Sequence, residues 1–122
     1  MTYQEDPDSS FTHDGVEYAL NPVLKLVRGR KVYAVPMRHM QWNIEHAQYD
    51  EERVATAVLG YPLIVVVDKR FNRPTGYVVL DGTHRLIKAH RAGRAAVSCV
   101  FVTLTEIEAF AKPKPTTAWS NW

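Results

Sequence analysis

Asp81-Gly82-Thr83-His84-Arg85 places a carboxylate, a hydroxyl, an imidazole and a guanidinium within five residues. The stretch sits where an apolar run, Tyr77-Val78-Val79-Leu80, gives way to a helical pattern, Leu86 to Ala92. A strand that ends in Asp-Gly and opens directly into a helix leaves the first helical N–H groups unpaired. They lie at the positive end of the helix dipole, a site suited to phosphate or carboxylate. The backbone from Gly82 to Arg85 and the Thr83 hydroxyl are the candidate phosphate cradle. Arg85 offers a bidentate contact to phosphate oxygens. His84 offers a donor, or an acid or base near neutral pH. Asp81 offers a magnesium ligand, or a group that orients an acceptor hydroxyl. Each has a plain alternative: Asp81-Gly82 as turn and cap, Thr83 as a capping hydroxyl, His84 as a packed histidine.

The helix that follows carries Lys88, Arg91 and Arg94, and a second basic cluster is Arg28, Arg30 and Lys31. A formal charge of +2 is too small to require a nucleic-acid partner. The clustering nonetheless favours a polyanion near the candidate cradle, and nucleic acid is one such partner. A solvated helix face is the alternative for Lys88, Arg91 and Arg94. Arg28-Gly29-Arg30 is a turn or a basic finger. The five histidines, at 13, 39, 46, 84 and 90, have no zinc-site spacing. The single cysteine, Cys99, excludes an internal disulfide and fits a reducing compartment.

These groups need a scaffold, and 122 residues suffice for one domain. The expected division is an N-terminal arm over 1–14, a domain over 15–111 and a tail over 112–122. A hydrophobic share of 46% against 23% charged residues is that of a soluble globular protein. The longest apolar run, Leu63 to Val67, is too short to span a bilayer, so no membrane partner is expected. The polar, acidic start is not a secretory signal, and the expected location is cytoplasmic.

Few large apolar groups occur in 1–14, which reads as a mobile arm. Short strands are expected over Val16–Leu20, Val23–Val27 and Lys31–Val35, and Pro36–Tyr49 reads as irregular. Asp50 is a candidate N-cap for a helix over Glu51–Leu59, with Val54, Val58 and Leu59 as its buried stripe and Gly60 as its stop. Leu63–Val67 and Tyr77–Leu80 read as a strand hairpin around the loop 69–76. After the motif helix and its Gly93 stop come a strand over Val97–Val102 and a short helix capped by Thr105 with Glu108. The tail holds Trp119 and Trp122, either docked on the domain or available for a partner, including a second copy of the chain. This order predicts an α+β fold with helices packed on a small mixed sheet.

Residues 33–102 resemble the ParB/sulfiredoxin-like superfamily. The resemblance rests on three features: Val35-Pro36 followed by a polar segment; Asp50-Glu51-Glu52-Arg53-Val54 leading to Tyr61-Pro62-Leu63-Ile64-Val65-Val66; and Val79-Leu80-Asp81-Gly82-Thr83-His84-Arg85-Leu86 before Ala92-Gly93 and the last strand. The resemblance implies a ParB/sulfiredoxin-like sheet and a nucleotide site in which Gly82 to Arg85 holds phosphates. The implied ligand is ATP, ADP or CTP, with magnesium. Sulfiredoxins place a cysteine nucleophile where this chain has Thr83, and a hydroxyl does not replace a thiolate. ParB partition proteins bind CTP through a motif richer in Glu-Arg-Arg and carry a helix-turn-helix domain. This chain ends about where that domain would begin. The Asp-Gly-x-His-Arg form is most similar to ADP-dependent free-serine kinases, and that likeness implies Glu45 as the acceptor's general base.

Three functions follow as expectations. The first is a nucleotide-dependent phosphotransferase acting on a hydroxyl-bearing small molecule, nucleoside or nucleic acid, with Glu45, Asp81 and His84 as its chemical groups. The second is a non-catalytic module that binds nucleotide or DNA, using Arg28, Arg30, Lys31, Lys88, Arg91 and Arg94. The third is a ParB-like nuclease, against which stands the lack of a clustered acidic pair to hold two metals.

Overall fold

The apolar run Leu63–Val67 lies inside a sheet with both faces covered, and this explains why it does not alternate. The computed structural model describes residues 9–113. Strands β1 (Ser10–His13) and β2 (Val16–Ala19) form an antiparallel hairpin. Strands β3 (Tyr33–Pro36), β4 (Leu63–Val67), β5 (Tyr77–Asp81) and β6 (Ala96–Val102) form a second sheet in the order β3-β6-β4-β5. In that sheet β4 runs parallel to β6, while β5 and β3 run antiparallel to their neighbours. The helices are α1 (Leu20–Leu26), α2 (Gln41–Glu45), α3 (Glu51–Thr56), α4 (Thr83–Arg91) and α5 (Leu104–Glu108). This is a small mixed α+β domain with two sheets.

Period-two alternation divides the core between the two faces of the four-stranded sheet. Ile64, Val66, Val78, Leu80, Val100 and Val102 meet Phe11 and Tyr18 of the hairpin, Leu20 and Val23 of α1, and Ile107 of α5. Leu63, Val65, Val97 and Cys99 meet Met40 and the Leu86 and Ala89 face of α4. Each fully buried aliphatic side chain stabilises the fold by about 2 kcal/mol. Leu63 to Val66 of β4, all buried, therefore anchor the elements on both sides.

Several elements differ from the sequence reading. Residues 10–13, expected in the arm, form β1, because Asp14 (φ 52) and Gly15 (φ 77) supply the two left-handed residues of a tight hairpin turn. The expected strand Val23–Val27 lies mostly within α1, where Pro22 occupies the first turn and Leu20 and Val23 face the core. The irregular segment contains a 3-10 turn, Met37–Met40, and then α2. Helix α3 stops at Thr56, because Ala57 is extended and Lys88 Nζ takes the carbonyls of Ala55 (2.8 Å) and Ala57 (2.9 Å). Val58 is consequently exposed. Asp50 caps α3 as expected, accepting the Glu52 N–H at 2.8 Å. Helix α5 is capped by Thr103 with Glu106, two residues earlier than Thr105 with Glu108, and this start puts Ile107 in the core. Trp119 and Trp122 lie outside the described residues, and with them the expected partner contact of the tail. Among the described residues no helix is long and apolar enough to cross a membrane.

Candidate functional site

The motif lies where β5 passes into α4, and backbone irregularity there decides where each side chain goes. Val65 pairs with Val79 and Ile64 with Asp81, so β5 carries one extra residue opposite that step. Such a bulge re-aims the side chains beyond it. Gly82 then adopts φ +106 as the N-cap of α4. A Cβ on Gly82 would sit 3.0 Å from Leu63 Cγ and 3.3 Å from Arg85 Cζ, so both conformation and space require glycine.

The consequence is that the motif divides. Asp81 and Arg85 turn to one side, where they border a 520 Å³ cavity with Arg28, Arg30, Tyr61 and Ile64. The buried Arg85 guanidinium donates to Asp81 Oδ2 at 2.9 Å and to the Pro62 carbonyl at 2.7 Å, with the Tyr61 ring 6.0 Å away. Thr83 turns to the other side and borders a 420 Å³ cleft. One wall of that cleft is the hairpin turn, from Thr12 to Gly15; the other is Trp42 of α2 with His46 just past its end; Phe71, Val78 and Val79 complete it. The first intrahelical bond of α4 runs from the Leu86 N–H to the Gly82 carbonyl at 2.9 Å. The N–H groups of Thr83 and His84 precede it, and the N-cap supplies no side-chain acceptor.

Asn43 holds the α2 wall in place. Its Nδ2 donates to the Tyr77 carbonyl at 2.8 Å, and its Oδ1 accepts the Val79 N–H at 2.9 Å, so the side chain completes hydrogen bonding along the outer edge of β5. That contact fixes Trp42, which stacks on His46 at 4.5 Å and meets Phe71 at 5.8 Å. The sequence reading missed Asn43, His13 and the hairpin wall. The Asp14-Gly15 turn signal was present in the sequence; nothing local marks Asn43.

The remaining expected site residues are dispersed. His84 Nε2 accepts the Asp50 N–H at 3.2 Å, so the ring ties α4 to the start of α3. Burial, with Arg53 nearby, lowers its pKa below the ordinary value. Glu45 is exposed, its Oε1 bonded to Gln41 Nε2 at 3.1 Å, and it does not border the cleft. Lys88 closes the end of α3, and Arg91 forks onto Glu51 at 2.7 and 2.8 Å. Arg94 borders a small pocket beside Arg85 and Tyr61. Arg30 donates to the Phe101 carbonyl at 3.0 Å and to both carboxylate oxygens of Glu106. Lys31 lies over the Tyr33 ring. Cys99 is buried, and burial pushes its thiol up to about 12, away from thiolate chemistry.

The fit to the implied ligands differs between them. Unpaired N–H groups, a hydroxyl and an aromatic wall around 420 Å³ suit the phosphates and base of a nucleotide. Magnesium at Asp81 does not fit, because Arg85 already lies on that carboxylate at 2.9 Å. No family model matches the chain, and neither does any curated protein or solved structure.

Proposed function

We propose that this domain binds a nucleotide with its phosphates at the start of α4 and transfers the terminal phosphoryl group to a hydroxyl, on a ParB/sulfiredoxin-like scaffold. The observation that carries the reading is the α4 N-terminus without a side-chain cap, which opens through Thr83 into the aromatic-walled cleft. Phosphoryl transfer asks a protein mainly to position the donor and to stabilise charge on its oxygens. The Thr83 and His84 N–H groups, the Thr83 hydroxyl and the helix dipole are suited to both. The Trp42–His46 stack offers an aromatic wall against which the base can pack. Asp81 and Arg85 support this site from behind, by locking the β5–α4 junction through their own pair and the Pro62 carbonyl.

A purely nucleic-acid-binding module is the weaker reading. Arg30, Lys88 and Arg91 are engaged within the domain, on Glu106, on the α3 carbonyls and on Glu51.

The test is titration of ATP, ADP and CTP, with and without magnesium, into the wild-type chain and Thr83→Glu. A glutamate at the first helical position suits the dipole and leaves the fold stable, while its charge occupies the phosphate position. The expected result is wild-type binding of at least one of the three and a loss of 100-fold or more in Thr83→Glu. Equal affinity in the two proteins would place the ligand elsewhere.

A further inference from the structure

The cleft has a second chemical group on its hairpin wall. His13 and Asp68 are both buried, at 5% and 2% exposure, with His13 Nε2 and Asp68 Oδ2 2.9 Å apart. Burying such a pair is costly unless its hydrogen bonds are made, so docking a hairpin would be served better by an aliphatic side chain. Asp68 is fully bonded. Its Oδ1 accepts from Arg70 N (3.1 Å) and Nε (2.9 Å), and its Oδ2 accepts from Arg70 Nη2 at 2.6 Å as well as facing His13. Arg70 also pairs with Asp14 of the hairpin turn at 2.7 Å.

The Arg70 guanidinium holds the Asp68 carboxyl well below the usual carboxylate range, with the His13 bond adding to the effect. Asp68 is therefore an acceptor only. In the neutral ring the proton then lies on Nε2, and the lone pair lies on Nδ1. Among the described residues Nδ1 has no hydrogen-bond partner, and the ring borders the cleft that Thr83 enters. The other charged and titratable groups beside His13 are Asp14 and Arg70 on its own side and His46 across the cleft.

We propose that His13 is the proton acceptor for the attacking hydroxyl, with Asp68 and Arg70 as its positioning residues. This rests on the phosphoryl-transfer reading above and gives the base role to the hairpin rather than to Glu45. The hydroxyl oxygen forms a bond to the terminal phosphorus of the nucleotide. The bond from that phosphorus to the bridging oxygen breaks, and its electron pair leaves with the shortened nucleotide. The hydroxyl proton moves to His13 Nδ1, and the imidazolium is stabilised by Asp68 until the proton passes to water. A buried carboxylate that fixes the tautomer of a histidine base and then faces the cation is an established catalytic arrangement.

Two measurements test this on the full chain. Nitrogen-15 NMR of the wild type at neutral pH should find His13 as the Nε2–H tautomer; an Nδ1–H tautomer would overturn the proposal. The second measurement follows ATP, ADP and CTP binding by calorimetry, and phosphoryl transfer from the same nucleotides to water, serine and deoxynucleosides. His13→Gln keeps a donor toward Asp68. It should bind nucleotide within threefold of wild type and lose transfer by 100-fold or more, within the usual range for a general base. Asp68→Asn should lower kcat by about tenfold at an unchanged KM. Full transfer by His13→Gln, or nucleotide binding by the wild type with no transfer, would remove the base and leave the nucleotide site standing. A wild type that binds none of the three nucleotides would remove both.

Discussion

Two recesses flank the start of α4, and they differ in what their polar groups lack. The 520 Å³ cavity is the larger and carries more cationic side chains, with Arg28, Arg30 and Arg85 on its border. Yet Arg85 is bonded to Asp81 and Pro62, and Arg30 to Glu106 and Phe101. The 420 Å³ cleft has less charge, but the Thr83 and His84 N–H groups lack a cap and His13 Nδ1 lacks a partner among the described residues. A guanidinium already paired in the fold contributes rigidity; a donor or acceptor without a partner at the wall of a cleft is the group that gains from a ligand. On the proposed reading, charge density alone points to the other side of the helix.

The largest effect on stability should come from breaking the pair on the cavity side. Asp81→Ala removes the carboxylate on which the buried Arg85 guanidinium lies. Removing one partner of a buried pair costs about 3 kcal/mol. Thermal melts should fall by roughly 10 °C for a domain of this size. Once folded at low temperature, the variant should still bind nucleotide within threefold of wild type. A large loss of affinity at unchanged stability would reverse the comparison and make the 520 Å³ cavity the ligand site.

The same contrast explains what could be read in the sequence. β4, β5, β6 and α4 were legible because apolar runs bounded by Pro62, Gly76 and Gly93 carry the pattern of their own burial. The motif was legible as a strand-to-helix junction, but the directions of its side chains were not. They depend on one extra residue in β5 and on the left-handed Gly82, which send Asp81 and Arg85 one way and Thr83 the other. The hairpin was within reach, since Asp14-Gly15 is flanked by alternating Phe11 and His13, then Val16 and Tyr18. Its polar surroundings made it read as part of an arm. Two overlapping caps, Thr103 with Glu106 and Thr105 with Glu108, satisfy the same spacing, and only burial of Ile107 distinguishes them. His13 and Asp68 are 55 residues apart, and no local pattern joins them.

A smaller effect should follow from the basic face of α4. Lys88→Met removes a charged donor from the last carbonyls of α3 and should cost about 1.5 kcal/mol, read by urea unfolding. Were this face a nucleic-acid surface, the same change would leave stability alone. It would instead weaken DNA binding and lower its salt slope by about 1. The expected outcome is the first pattern.

The smallest effect should appear in acid. Hydrogen bonds from Arg30, together with the Thr103 N–H, bring the Glu106 carboxyl from 4.5 down to about 2. The folded pKa lies below the unfolded one, so this group's contribution is complete above about pH 4.5. It is lost as pH falls toward 2. With solvent around the pair, the contribution is about 1 kcal/mol. His84 acts earlier and in the same direction, because burial disfavours its cation. Its contribution begins to fall as pH drops below about 6.5, the ordinary histidine value. Unfolding of wild type and Glu106→Gln, compared at pH 7, 5.5, 4 and 3, separates the two groups. The curves should run parallel from pH 7 to 5.5, where His84 titrates in both, and converge below 4.5. Curves that stay parallel down to pH 3 would mean that Glu106 carries no depressed pKa, and that the Arg30 side of the cavity is less firmly paired than its geometry indicates.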